Sequence, residues 1–377
     1  MKSDYKNGDA IARKVDALVN EALKTLVPYA PGKPMEELER ELGISDSIKL
    51  ASNESSMGPS PRAVAAIAEA LRGLHRYPDG SAYRLVHKIA ARLGVGANGI
   101  VLGNGSNEII ELVVRGFMLP GDEAVFAHPS FAIYPLVVQA AGGLGVPVPL
   151  KDLTHDLPAM ARAVTPRTKI VFVCNPNNPT GTAVRKDAFE AFLRDLPDGV
   201  LVAVDEAYFE YMDDPQRVDS LQYHDSGKIL LTLRTFSKCY GLAGLRIGYG
   251  VGHPRLIDYL HRVRQPFNVN WLAQVGALAA LDDDAHLRVS VENNREQLAR
   301  IYKALDAMGV RYTRSQANFL LLHLPGGDGK AVYDRLLRRG VIVRPMDSYD
   351  LPGTIRVTVG TPEENTRFLA ELGEVIQ

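Results

Sequence analysis

Three apolar runs mark the middle of the chain: KIVFVC at Lys169–Cys174, VLVAVDEAYFEY from Val200, and KILLTLRTFSK from Lys228. None of them alternates polar with apolar positions, and helical or irregular segments separate them, as expected of strands covered on both faces of a parallel sheet. Ile100–Gly103 and the EAVFAHP stretch after Asp122 read as further short strands. Polar motifs stand just past the last apolar residue of these runs: NPNNPTG after the first, Asp205 in the second, Ser237 and Lys238 after the third. Ligands of open α/β sheets gather at the carboxyl ends of strands, so Asn178, Asp205 and Lys238 are expected to converge on one crevice.

Helical periodicity covers much of the remainder. Ile11, Val15, Leu18, Val19, Ala22 and Leu26 predict one amphipathic helix over Ala10–Leu26. The prolines and glycine of VPYAPGKP then make an extended arm from Pro28 to Pro34, carrying Tyr29. A short helix over Glu36–Gly43 follows, and Ser60 with Pro61 starts another. Tyr77 and Pro78 form a turn before a capped helix that begins near Ser81 and stops at Gly94. Phe131 and Tyr134 sit near the start of a helix in SFAIYPLVVQAAGG, and Arg185–Leu196 is helical. Long helices over Pro254–Arg264, Trp271–Leu281 and Asp284–Met308 lead to strand ANFLLLHL, helix KAVYDRLLRRG, strands VIVRP and TIRVTVG, and a closing helix from Pro362.

This pattern predicts an α/β protein, with a mainly parallel sheet covered by helices and a smaller C-terminal α/β unit. The expected division is a helix and arm at 1–50, a large domain at 51–265 and a small domain at 266–377. A length of 377 residues suits two unequal units. With 46% hydrophobic and 23% charged residues and a net charge of −1, nothing in the composition points to nucleic acid or an anionic membrane as partner. Small molecules are the expected partners. Cys174 and Cys239 belong to no CxxC pair, so neither a disulfide framework nor a cysteine zinc site is expected. The N-terminus lacks an apolar signal-peptide core and no run approaches the roughly 20 residues of a membrane span, so the expected location is cytoplasmic. The histidines lack HxH or HExxH spacing, and GNGSN lacks the final glycine of GxSxG, which disfavours a metal hydrolase and a serine hydrolase.

The polar motifs do fit pyridoxal phosphate. That cofactor needs an amine for a Schiff base, a carboxylate to keep its ring nitrogen protonated, donors for its ring oxygen and a cradle for one phosphate. Lys238 supplies the amine and a general base, and Asp205 the carboxylate. Tyr208 and Asn178 can reach the ring oxygen. The glycine-rich turn GNGSNE opens a helix at about Ser106, so Gly105, Ser106 and Asn107 can hold a phosphate with help from Ser237 and Arg246. Glu108 stands where GxGxxG has its third glycine, which argues for one phosphate over a dinucleotide.

From VPYAPGKP through GPSP, HRYPDG, GNGSNE, CNPNNPTG, DEAYFEY, RTFSK, GLAGLRIGY, RQPFNVN and ANF to VIVRP and IRVTVGT, the chain resembles the fold-type I, aspartate-aminotransferase superfamily. Within it the chain is similar to the histidinol-phosphate aminotransferases. The resemblance implies a pyridoxal-phosphate-dependent transaminase of histidine biosynthesis, acting as a homodimer on a small-molecule amino donor and a keto acceptor. Aromatic amino acid transamination and decarboxylation of a threonine phosphate are the alternatives on the same scaffold, and a non-catalytic module would have little use for the lysine, aspartate, tyrosine and arginine together. By the resemblance, Lys238 is the Schiff-base lysine, Asp205 the ring-nitrogen partner, and Tyr208 and Asn178 the ring-oxygen donors. Phe131 stacks on the ring. Ser106, Asn107, Ser237 and Arg246 bind the phosphate, reached also by Tyr77 of the second subunit. Arg356 takes the substrate's acidic group, with Arg344 and Tyr29 completing that pocket. Strand alternation places each arginine opposite its valine neighbours, toward solvent or a cleft. Ser55 and Ser56 replace the Asn-Pro pair common in the family, so the edge of the substrate pocket is expected to differ.

Overall fold

The computed structural model describes residues 8–29 and 32–376. Strand β1 (Ile48–Lys49) precedes a seven-stranded sheet built from β2 (Ile100–Gly103), β3 (Glu123–His128), β4 (Leu144–Pro149), β5 (Thr168–Cys174), β6 (Leu201–Asp205), β7 (Ile229–Thr235) and β8 (Gly248–Gly252). Their order is β2-β8-β7-β6-β5-β3-β4. Strands β7, β6, β5, β3 and β4 pair in parallel, and β8 runs antiparallel to both of its neighbours.

The unbroken apolar runs are explained by two cores. Along β5, Ile170, Phe172 and Cys174 join a cluster with Ile109, Val113 and Leu231 on one face. Val171 and Val173 join Val202, Phe189 and Leu193 on the other. Successive side chains of a strand point to opposite faces, so a strand covered on both sides must be apolar throughout. Edge strand β4 escaped the pattern search because it is half-exposed and carries two prolines, which an edge tolerates.

A second, antiparallel sheet takes β9 (Arg311–Thr313), β10 (Phe319–His323), β12 (Arg344–Pro345) and β13 (Thr354–Thr358), in the order β12-β13-β10-β9. Its core joins Leu320, Leu322, Ile355 and Val357 to Phe368 and Leu372 of the last helix. Between helix Gly329–Arg338 and β12, β11 (Val341–Ile342) pairs in parallel with β1 as a separate two-stranded sheet, which ties the segment entering the Ala51–Asn53 turn to the C-terminal part of the chain. The ladder continues past the strand: the Leu50 N–H donates to the Ile342 carbonyl at 2.7 Å and the Thr358 N–H to the Leu50 carbonyl at 2.8 Å.

The N-terminal expectation is corrected in one respect. Ala10–Leu26 is not one helix but two, Gly8–Leu18 and Glu21–Lys24. Asn20 breaks it: in a non-helical conformation, its side-chain oxygen accepts from the Ala22 N–H, restarting the chain as an N-cap. The helix expected near Ser81 begins at Tyr83, and its orphan donors go to Asp79, which accepts from the Ser81 N–H (2.9 Å), the Ser81 hydroxyl (2.7 Å) and the Tyr83 N–H (2.8 Å). Two arm residues, 30 and 31, lie outside the described residues. Among the described residues no helix is long and apolar enough to cross a membrane, and no group of acidic, histidine and cysteine side chains could hold a metal.

Candidate active site

The site grows from the carboxyl ends of β2, β5, β6 and β7. At the first of these the chain turns through Asn104 and Gly105 into helix Ser106–Phe117, and no side chain caps the helix start. Its open N–H groups and partial positive charge suit one phosphate. Gly105 is required there, because φ is +76° and a Cβ would come within 2.7 Å of an Arg246 guanidinium nitrogen. Gly248 is required beneath it, where a Cβ would stand 2.5 Å from the Ser106 amide nitrogen.

Arg246 itself has φ 56°, a left-handed conformation that costs a non-glycine residue on the order of 1–2 kcal/mol. That bend sends its guanidinium back to Ser237 Oγ at 3.3 Å and to the carbonyls of Asn104 and Ala243 at 3.2 Å each. The buried Asn107 Oδ1 has no partner among the described residues, so internal structure does not use up this amide.

Past the end of β7, Lys238 places its Nζ 3.2 Å from the Ser52 carbonyl and 5.6 Å from the centre of the Tyr208 ring. Burial first, and then the neighbouring Arg356 and Arg246 charges, bring its pKa down to about 8, with Glu54 and Asp205 acting the other way. A lysine so tuned has an appreciable neutral fraction near physiological pH, as a nucleophile and base requires. Asp205 ends β6 and is 3% exposed. It accepts from the Tyr134 hydroxyl at 2.8 Å and the Ala207 N–H at 3.2 Å. Burial raises its carboxyl to about 6 against those hydrogen bonds, so a cationic partner would find it readily ionised. The Tyr208 hydroxyl accepts from Asn53 Nδ2 at 2.9 Å, and burial holds its pKa above the ordinary phenol value.

The other end comes from the second sheet. Arg344 of β12 stands directly opposite Arg356 of β13. Both are buried. Arg356 donates to Asn178 Oδ1 at 2.5 Å and to the Ala51 carbonyl at 2.7 Å, while its buried Nε has no partner among the described residues. The Arg344 guanidinium lies 5.6 Å from the Tyr29 ring centre, on the arm.

One cavity of about 160 Å³ is lined by Tyr29, Gly105, Ser106, Asn107, Phe131, Asn178, Asp205, Tyr208, Ser237, Lys238, Arg246, Arg344 and Arg356. Every site residue expected from the sequence is thus on it except Tyr77, which is 82% exposed and stacks on Phe267 at 4.8 Å elsewhere on the surface. Sequence reasoning missed Asn53, Ser52, Cys174 and Thr235, which also line it. The SN pair of LASNESS, polar and turn-rich between apolar elements, was the one available signal for the first two. Ser55 and Ser56 are not on the wall; Ser55 lies against Tyr211 and Ser56 Oγ is 3.5 Å from Asn293 Nδ2. Another cavity of about 490 Å³, flanked by Arg92, Arg234 and Tyr249, lacks this chemistry, and both of these arginines are already engaged. Arg234 pairs with Glu206 and Asp219, and Arg92 with Asp284.

An amine, a buried carboxylate and an uncapped helix start around one cavity define a site for amino-group chemistry, and the wider comparisons agree. The chain belongs to the class I and II aminotransferase family, whose model matches residues 45–372. It is 49% identical over 352 residues to histidinol-phosphate aminotransferase 1 of Nitrosococcus oceani, covering 93% of this chain and 95% of the relative. To the histidinol-phosphate aminotransferase of Moorella thermoacetica it is 47% identical over 357 residues, covering 94% and 92%. Among solved structures, the histidinol-phosphate aminotransferase of Sinorhizobium meliloti in complex with pyridoxal 5'-phosphate superposes with a TM-score of 0.87 at 28% identity, covering 96% of this chain and 98% of that one. The fold is that of the fold-type I aminotransferases.

Proposed function

We propose that this aminotransferase uses pyridoxal phosphate to move an amino group between histidinol phosphate and 2-oxoglutarate, in histidine biosynthesis. The observation that carries the reading is the convergence of Lys238, Asp205 and the open start of helix Ser106–Phe117 on one cavity. The residues fit the cofactor: one open helix start for one phosphate, one buried carboxylate for a ring nitrogen, one neighbouring amine. When bound, the cofactor supplies an aldehyde and an electron-accepting ring. Asp205 holds the proton on the ring nitrogen, Tyr208 and Asn178 orient the ring oxygen, and Phe131 covers the ring. Gly105, Ser106, Asn107, Ser237 and Arg246 hold the phosphate. Lys238 Nζ, brought down to about 8, takes and returns the proton at the substrate carbon.

For the substrate's acidic group the supporting feature is the arginine pair. Like charges directly opposite on antiparallel strands destabilise a sheet, so Arg344 facing Arg356 makes sense as a place for an anion, with Tyr29 at its side. The reading extends to a cytoplasmic homodimer in which Tyr77 reaches the partner's phosphate. Leu71, Leu74, Tyr77 and Phe267 are exposed apolar groups that such an interface would cover. It also divides the chain at 1–50, 51–265 and 266–377, so that the site lies where the large and small domains meet.

The test is steady-state amino transfer by the purified holoenzyme with histidinol phosphate, phenylalanine and tyrosine in parallel. Histidinol phosphate is expected to be preferred in kcat/KM. Faster turnover of the aromatic amino acids, or carbon dioxide release without a keto acceptor, would replace this reading with one of the two alternatives, and a colourless protein indifferent to pyridoxal phosphate would end it.

A further inference from the structure

Tyr134 belongs to no motif, yet it is fully buried and hydrogen-bonds the carboxylate at the centre of the site. It is the second residue of helix Ile133–Ala140. Its ring stacks flat on Phe172 of β5, with centroids 4.7 Å apart and planes 9° from parallel, and Phe131 meets it edge-on at 5.6 Å. Two aromatic contacts leave the phenol little freedom. Its hydroxyl donates to Asp205 Oδ2 at 2.8 Å while the Ala207 N–H donates to Oδ1 at 3.2 Å, so each carboxylate oxygen has one fixed donor. The carboxylate cannot rotate without breaking both.

Other charged or titratable groups near Asp205 act differently, and the Tyr208 phenol is kept protonated by burial. Lys238 lies across the cavity; Glu206 repels Asp205 from the neighbouring position. Cys174 stays a thiol, since burial and then Asp205 itself push its pKa up to about 12. Burial likewise keeps the Tyr134 phenol protonated. Tyr134 is therefore a side-chain donor to Asp205 that stays protonated whatever the working pH.

We propose that Tyr134 is a positioning residue for amino transfer: its O–H, held in place by the Phe172 stack, keeps the Asp205 carboxylate ionised and aimed at the ring nitrogen of the cofactor. This rests on the reading of Asp205 as the partner of that nitrogen. Tyr134→Phe keeps the ring and its stacking and deletes only the donor. A hydrogen bond to a charged group contributes enough to change an equilibrium roughly tenfold or more.

The experiment measures pyridoxal phosphate affinity of the apoenzyme by equilibrium titration, the pH midpoint of the holoenzyme's visible absorbance band, and steady-state kinetics, in Tyr134→Phe, Asp205→Asn and the double variant. Affinity is expected to fall roughly tenfold in Tyr134→Phe, with a displaced pH midpoint, a lower kcat and a nearly unchanged KM for the amino donor. The cofactor analogue with carbon in place of the ring nitrogen should bind Tyr134→Phe and the parent equally, which a merely structural role would not produce. The double variant should be no weaker than Asp205→Asn alone. Unchanged affinity and midpoint in Tyr134→Phe, an equal loss for the analogue, or additive losses in the double variant would each overturn the proposal. If Asp205→Asn itself leaves affinity and midpoint untouched, the assignment of Asp205 fails instead.

Discussion

The two ends of the cavity are built in different ways. The cofactor end hangs from adjacent strands of one sheet: Asn178 after β5, Asp205 at the end of β6, and Ser237 and Lys238 after β7, with the Gly105 turn beyond β8. Each of these groups is within a few residues of a strand buried on both faces, so its position is inherited from the sheet. The substrate end has no such frame. It takes Tyr29 from the arm, the Ala51–Asn53 turn that rests on the second sheet, and Arg344 and Arg356 from that sheet itself. The cofactor end needs one sheet to form; the substrate end needs two sheets to dock. Arg356 is the joint between them, because the side chain that would take the substrate anion also bonds Asn178 on the cofactor side.

If this division holds, changes at the two ends should separate experimentally. The largest effect is expected from Lys238→Ala, which should remove the visible absorbance band of the holoenzyme and lower amino transfer by about 10³-fold or more, since nucleophile and base are lost together. Arg246→Ala comes next: apoenzyme titration should show roughly 10- to 100-fold weaker cofactor binding, with the loss shared by every substrate. Arg356→Ala should instead leave cofactor affinity within a few-fold and cut kcat/KM for all acidic substrates by roughly 100-fold. Release of the cofactor on removing Arg356 would break the comparison, because the two ends would then be one unit. Tyr29→Phe should be smaller and selective, costing roughly tenfold for phosphorylated substrates and little for the others; equal losses for both kinds would erase the distinction within the substrate end.

A last effect concerns stability rather than catalysis, and its size depends on pH. Burial raises the Asp205 carboxyl from 3.8 to about 6. Between those values the folded apoprotein binds more protons than the unfolded chain, so its stability falls as pH rises through the window, and the cost is complete above about pH 6. Asp205→Asn is expected to stabilise the cofactor-free protein by on the order of 2–3 kcal/mol near neutral pH, with the gain vanishing as pH falls toward the unfolded value. Denaturant unfolding at several pH values reads this directly. The same variant should weaken the holoenzyme, and that contrast would place the cost of the buried carboxylate in the service of cofactor binding.

The difference between the ends also explains what could be read from the chain. Asn178, Asp205 and Lys238 were legible because an apolar strand followed by a polar residue is a local pattern, and β5, β6 and β7 carry it plainly. Gly105 and Ser106 were legible as a glycine-rich helix start. Tyr134 was not, since an aromatic near a helix start is ordinarily core and only the 2.8 Å contact with Asp205 distinguishes it. The break at Asn20 could have been found, because asparagine followed by glutamate is a helix start signal. The short pairing of β1 with β11 could not, as two-residue strands nearly 300 positions apart leave no periodicity to detect.

Period and polarity along the chain therefore determined the α/β plan with its smaller C-terminal unit, the cofactor class and most of the residues that line the cavity, because those properties depend on neighbours close in sequence. Tertiary structure alone decided that Arg344 faces Arg356, that Arg356 reaches Asn178 and that Tyr134 holds Asp205. A one-residue shift of register turns a side chain to the opposite face, and the helix carrying Tyr134 packs on β5 through the Tyr134–Phe172 stack, from which the hydroxyl reaches Asp205 of β6. Such contacts are set by packing between elements remote in sequence.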